Sequence, residues 1–222
     1  MVTVLVNGLP GAGKTTLAQA LARELKLPLF SKDSVKETLA DALGMEPAVG
    51  TTAREWSNTL GRAAAETLWT LLTYAPNGAV LESPWLGHVR QFAIAGLARA
   101  GVDEVQEVWC NVPLQVVRHR FAERAASRHP VHLDDQPDSD ERWELWSRTA
   151  EPLGLGPVHH VDTTRPVDIP LLAKQIRETS GEGHEVSAHH TLERLTRQGW
   201  GGSVSRGASV GQLLQLDHQE AQ

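Results

Sequence analysis

The sequence predicts an α/β fold in which a parallel β-sheet is covered on both faces by helices. Three observations carry that prediction. Five short β-branched or apolar runs alternate with stretches of helical spacing, and parallel strands need such crossover helices. The first run passes through a glycine-rich turn straight into a helical stretch. Finally, the 222 residues are 41% apolar and 22% charged, a balance that supports one globular core.

Each element follows from local pattern. Thr3 to Val6 ends in Asn7-Gly8 and reads as a buried strand meeting a turn. Lys14 to Lys26 places Leu17, Leu21 and Leu25 on one helical face. Pro28-Leu29-Phe30 is a brief second strand. Ser34 to Leu43 reads as a helix, and Arg54 to Leu72 as a longer one with Trp56, Leu60, Ala63, Ala64 and Leu68 on one side. The turn signal Pro76-Asn77-Gly78 precedes a third strand, Ala79 to Glu82. His88 to Ala100 is a helix closed by Gly101. Val105 to Val112 is the fourth strand, and Pro113 opens the next helix in a first-turn position that tolerates proline. Pro157 to Val161 is the fifth strand, and Asp168 to Thr179 the last helix. From Gly181 onward seven glycines mix with scattered His, Ser and Gln. The expected organisation is one domain over 1–180 and a flexible or weakly helical tail over 181–222.

Composition narrows the function classes. With 21 Lys+Arg against 27 Asp+Glu the net charge is −6, which disfavours a protein that grips nucleic-acid phosphates. Cys110 is the single cysteine, so an internal disulfide and a Cys-only zinc site are excluded, and a reducing cytoplasmic setting is expected. No apolar run approaches the ~20 residues of a membrane span, and the first residues lack a signal-peptide pattern.

The chemistry is carried by Gly8-Leu9-Pro10-Gly11-Ala12-Gly13-Lys14-Thr15, which fits G-x-x-x-x-G-K-[ST] between a strand and a helix. Gly8, Gly11, Ala12 and Gly13 let backbone N–H groups turn inward around phosphates, and the helix N-terminus adds partial positive charge. Lys14 would bridge the β- and γ-phosphates, Thr15 would join a Mg²⁺ shell and Thr16 would reach the α-phosphate. A nucleoside triphosphate is the expected ligand. The chain is too short for a motor core with its arginine finger, and it lacks the N-K-x-D guanine signature.

Asp33, within Ser31-Lys32-Asp33-Ser34-Val35-Lys36, falls just past the second strand, at the strand edge where open α/β sheets build sites. There it would accept a proton from an attacking hydroxyl, or it would cap the following helix. Lys36 lies one turn on, on the same side. Glu82 ends the third strand, either as a partner for Mg²⁺ or as an exposed strand-end acid. Trp85, His88 and Arg90 follow in a loop expected to line an acceptor pocket, with packing an equal reading for Trp85. Arg120, Arg124 and Arg128 are spaced four apart, which disfavours a helix slightly unless an anion faces them. A triphosphate would be that anion and the segment a lid over about 120–148. The plainer reading is a solvated basic face paired with Glu123. The acidic stretch Asp134, Asp135, Asp138, Asp140 and Glu141 would pair with these arginines when nucleotide is absent.

The Gly8–Thr15 loop, Asp33-Ser34-Val35, the strand ending at Glu82, the arginine stripe and Val161-Asp162-Thr163-Thr164 together resemble the small P-loop kinases, especially the chloramphenicol phosphotransferase, zeta-toxin and polynucleotide-kinase-like group. The resemblance spans about residues 2–179. It implies a P-loop NTPase three-layer sandwich with a five-stranded parallel sheet of order 2-3-1-4-5 and a helical lid. It also implies ATP and Mg²⁺ as ligands and Asp33 as base. Lys14, Asp33 and Arg124 would be the catalytic set. The implied activity is transfer of the γ-phosphoryl group to a hydroxyl of a small molecule, with an antibiotic or nucleoside-like metabolite favoured. A nucleotide, sugar-nucleotide or polynucleotide kinase is the alternative, and a regulatory ATPase module the second. Lys36 departs from the arginine found in polynucleotide kinases, which weakens the case for 5′-phosphate recognition.

Overall fold

The central strand β1 (Val4–Asn7) is buried along its whole length because neighbours cover both of its faces. The computed structural model describes residues 1–46, 49–133 and 140–182. On one side β1 pairs in parallel with β3 (Val80–Glu82), which pairs with β2 (Leu29–Ser31); on the other it pairs with β4 (Gln106–Asn111), which pairs with β5 (Val158–Asp162). The strand order is therefore 2-3-1-4-5, as the resemblance implied. Side chains alternate across the sheet. Val4 and Val6 enter one core with α1 (Lys14–Leu25), α5 (Leu114–Ala125), α6 (Asp140–Thr149) and α7 (Ile169–Glu182). Leu5 and Leu81 enter the other, with α3 (Ala53–Thr73) and α4 (Arg90–Arg99). A third cluster joins α3 to α2 (Lys32–Leu43) through Leu60, Ala40 and Val131.

Large aromatic groups set two of the contacts. In the second core Trp69 and Trp85 lie with ring centroids 5.1 Å apart, and Trp69 passes so close to Gly96 that a Cβ there would collide with its ring. In the first, Trp143 meets Phe121 and Trp146 edge-on at 5.5 and 5.0 Å, which packs α6 on α5.

Helix boundaries differ from the sequence expectation where capping decides them. A reciprocal capping box between Thr52 and Glu55 starts α3 at Ala53. Pro113 is the N-cap of α5 rather than its first residue. At α2 the N-cap position is Ser31, so Asp33 sits inside the first turn and is not the cap. Most consequentially, α5 ends at Ala125, so Arg128 lies beyond the helix and the three arginines do not share one helical face. The short turn Pro130–His132 follows it. Residues 134–139, with most of the expected acidic stretch, and the tail from 183 lie outside the described residues. Among the described residues no helix is long and apolar enough to cross a membrane.

Candidate active site

The glycine loop leaves β1 and returns into α1 through backbone that other residues resist. Gly8, Gly11 and Gly13 have φ of +142°, +95° and +82°. At Gly11 a Cβ would lie 2.8 Å from the Val117 carbonyl oxygen, so the loop's tight seat on α5 also requires glycine. Lys14 opens α1 and is only 7% exposed; its Nζ donates to the Leu9 carbonyl oxygen across the loop at 2.9 Å. Burial pushes its ammonium pKa down, against the pull of the Glu82 and Asp33 carboxylates and with a push from Arg124. That balance places Lys14, Glu82, Asp33 and Arg124 in one electrostatic neighbourhood. Thr15 and Thr16 are exposed beside it.

Glu82 arrives there because β2 and β3 run parallel in register, Ser31 opposite Glu82. It is 2% exposed, and its Oε2 accepts the Ser31 hydroxyl at 2.6 Å. Exposure at the strand end is thereby excluded. Ser31 is a site residue that sequence reasoning missed, since only the strand order reveals it. The Thr15 hydroxyl and the Glu82 carboxylate are hard oxygen donors of the type Mg²⁺ takes. Among the described residues no cluster of three His, Cys, Asp or Glu side chains could hold a metal by itself, so a magnesium here would need oxygens from nucleotide and water as well.

Asp33 is held from across the chain. Its Oδ2 accepts from an Arg128 guanidinium nitrogen at 2.8 Å, and the two side chains are 30% and 19% exposed. Burial would raise the Asp33 carboxyl, but Arg128, then His132 and Lys32, hold it well below the usual carboxylate range. It is ionised at any ordinary pH. Two further contacts extend this one along α2. The His132 Nε2 donates to Glu37 Oε1 at 2.7 Å and the His129 Nε2 to Asp41 Oδ1 at 3.1 Å. The His129 Nδ1 accepts the Val131 N–H, which leaves the proton on Nε2 for Asp41. Asp33, Glu37 and Asp41 thus form an acidic stripe at four-residue spacing, clasped by residues 128–132. Lys36 supports the clasp from beneath: its Nζ donates to Ser57 Oγ at 2.8 Å, and Ser57 donates to the Val131 carbonyl oxygen at 2.6 Å.

The other arginines go elsewhere. Both terminal nitrogens of Arg120 lie 3.3 Å from the Thr163 carbonyl oxygen, and the Thr163 hydroxyl donates to the Ala12 carbonyl at 2.6 Å. This ties the loop after β5 to the glycine loop. Beside it opens a cavity of about 490 Å³ lined by Gly11, Gly13, Thr16, Arg120, Thr163 and Pro166, among others. The Arg124 guanidinium lies over the Phe121 ring, 5.3 Å from its centre. Trp85 is 2% exposed and packs on Trp69, so it serves the core and not a stacking platform. His88 is exposed, and Arg90 donates its Nε to the Leu153 carbonyl oxygen at 3.0 Å.

Residues 3–153 match the family model described as an AAA domain. The chain belongs to the AAA domain family. A candidate kinase from Chloroflexus aurantiacus j-10-fl is 32% identical to this AAA domain protein, with a TM-score of 0.66 over 80% of this chain and 97% of that one. Shikimate kinase from Aquifex aeolicus vf5 shares the fold at 16% identity and a TM-score of 0.51, over 82% and 98% of the two chains. The cytidylate kinase of Pyrobaculum neutrophilum is 50% identical over 46 residues, 21% of this chain. That stretch spans 25% of the cytidylate kinase's own length.

Proposed function

We propose that this AAA domain protein is an ATP-dependent kinase that moves the γ-phosphoryl group to a hydroxyl of a small molecule. The observation that carries the reading is the convergence of the buried Lys14, Glu82 and the ionised Asp33 at the carboxyl edge of the sheet. Phosphoryl transfer asks a protein mainly for positioning and charge stabilisation. The glycine loop and Lys14 would hold the phosphates, and the cavity beside Arg120 and Thr163 is roomy enough for the nucleoside. Thr15 and Glu82, with nucleotide oxygens, would hold Mg²⁺, which would supply charge neutralisation for the phosphates.

Asp33 would orient the acceptor hydroxyl by accepting its proton in a hydrogen bond. A carboxylate whose pKa is so depressed is a weak base, which suits a loose transition state where little proton removal is needed at the start. Arg124, near Lys14, would complete the positive surround. The Chloroflexus relative supports a kinase reading over a regulatory ATPase. The favoured acceptors are an antibiotic or a nucleoside-like metabolite. The cytidylate kinase stretch supports a nucleotide acceptor as the second reading. Residues 1–180 would form the kinase domain, with the segment about 120–148 as its lid. ATP consumption measured against a panel of hydroxylated antibiotics, nucleosides and nucleoside monophosphates tests this. Stimulation by a hydroxyl acceptor is expected; stimulation only by monophosphates would favour the second reading, and no stimulation would reject transfer.

A further inference from the structure

Glu107 is a carboxylate in the middle of strand pairing, one strand in from the sheet's edge. It sits in β4 opposite Leu5 of β1 and Val158 of β5, and it is 1% exposed. Burying an ionisable group there is costly unless its lone pairs are filled. All of its bonds come from donors. Its Oε1 accepts from Asn7 Nδ2 at 2.6 Å and from the Leu153 N–H at 3.0 Å, and its Oε2 from the Gly154 N–H at 3.0 Å. Among the described residues no cation pairs with it, so the arrangement needs an acceptor-only group and not an ion pair.

The geometry matters through Asn7, which is fully buried at the end of β1. An amide can face either way, and here Glu107, together with the Trp85 carbonyl and the Gly8 N–H, sets which. With one Nδ2 proton on Glu107, the other reaches the Trp85 carbonyl oxygen at 2.6 Å, and Oδ1 is left facing the Gly8 N–H at 2.6 Å. Gly8 is the first residue of the glycine loop, and Trp85 lies in the loop that follows Glu82. The root of the glycine loop is packed on the same strand: a Cβ at Gly8 would lie 3.0 Å from the Cβ of Cys110. A reversed Asn7 would present an NH₂ to the Gly8 N–H and open that seat.

We propose that Glu107 is a positioning residue that sets the Asn7 amide and so fixes the phosphate loop relative to the strand end bearing Glu82. The proposal rests on the reading of that loop as a nucleotide site. The probe is the non-hydrolysable analogue AMPPNP with Mg²⁺, its affinity for the full chain read by calorimetry beside thermal midpoints. In Glu107→Gln an amide replaces the acceptor-only group; in Asn7→Asp two carboxylates face each other. Each variant should weaken AMPPNP binding by about tenfold or more, since small displacements of a positioning frame are costly. The double variant Asn7→Asp with Glu107→Gln restores the bond between the two positions, although it sets an acceptor against the Trp85 carbonyl and an amide donor against the Leu153 N–H. Its loss of affinity should therefore be smaller than the sum of the two single losses.

Folded single variants with wild-type affinity would overturn the proposal, as would a double variant whose loss is the sum of the two. If the single variants fail to fold, the wild-type chain still decides. The Gly8 amide proton should resonate downfield and exchange slowly, and fast exchange would overturn the link. A wild-type chain that does not bind AMPPNP would overturn the nucleotide-site reading and this proposal together, whereas binding untouched by the variants overturns only the latter.

Discussion

The glycine loop and the clasp on α2 both keep charged groups in place at the sheet's carboxyl edge, but they draw on different stretches of chain. In the loop, Lys14 finds its partner in the Leu9 carbonyl five residues away, and three glycines supply the backbone shape. In the clasp, Asp33 and Arg128 are 95 residues apart, as are Glu37 and His132, and Asp41 and His129 are 88 apart. The loop is a local device whose geometry follows from eight contiguous residues. The clasp exists only once α2, α3 and the 128–132 turn have packed. The difference teaches that the two roles proposed for them, nucleotide holding and acceptor positioning, should be separately disturbable.

The largest effect is expected from the local device. Lys14→Ala removes the point charge proposed to face the transferring group, and turnover should fall by more than about 100-fold. Because Lys14 is a desolvated cation with one backbone partner, the thermal midpoint should change little. A folded Lys14→Ala protein with normal ATP turnover would remove the loop from the chemistry.

Asp33→Asn cuts into the clasp instead. It should lower turnover by about 10²-fold or more, the range of a proton-accepting side chain, while AMPPNP affinity stays near wild type. Losing a hydrogen bond to a charged partner should also cost about 1–3 kcal/mol in denaturant unfolding. If stability alone moves, Asp33 is structural.

Arg128→Lys probes the same contact from the other end. The charge remains, but the guanidinium nitrogen that bonds the Asp33 carboxylate is replaced by a more compact ammonium. A kcat lowered about tenfold, equivalent to roughly 1.4 kcal/mol, with the Michaelis constant for ATP unchanged is expected in steady-state assays. Native kinetics would show that the clasp does not orient Asp33.

The smallest effects are those of pH on stability. Burial pushes the His132 imidazole below its usual value, although Asp33 and the bond to Glu37 pull it up and Arg128 and Lys36 push it further down. The folded chain therefore binds that proton less readily than the unfolded chain, so His132's contribution is complete above about pH 6.5 and is lost as pH falls below it. Asp33 has its carboxyl lowered too, and its contribution holds above about pH 3.9 and fades as pH falls further. His132→Gln should flatten the melting temperature between pH 7 and pH 5, and Asp33→Asn should flatten it at more acidic pH. Unchanged profiles would count against the two contacts.

The sequence by itself determined the alternation of strands and helices, the glycine loop with Lys14, Thr15 and Thr16, and the position of Asp33 past β2. These rest on hydrophobic period, turn residues and a contiguous motif, all expressed within a few residues of chain. Asp33, Glu37 and Asp41 lie at helical spacing, but only Asp33 stood out in the sequence, because the other two gain meaning from the partners that the fold brings to them. Tertiary structure decided that Arg128 leaves the helix to bind Asp33, that Arg120 turns to Thr163, that Trp85 packs in the core and that Ser31 and Glu107 hold the two strand ends. Each of those outcomes pairs groups from distant segments, and such a pair takes its energy from proximity and burial. Strand pairing creates that proximity for Ser31 and Glu107, and the packing of α2, α3 and the 128–132 turn creates it for Arg128.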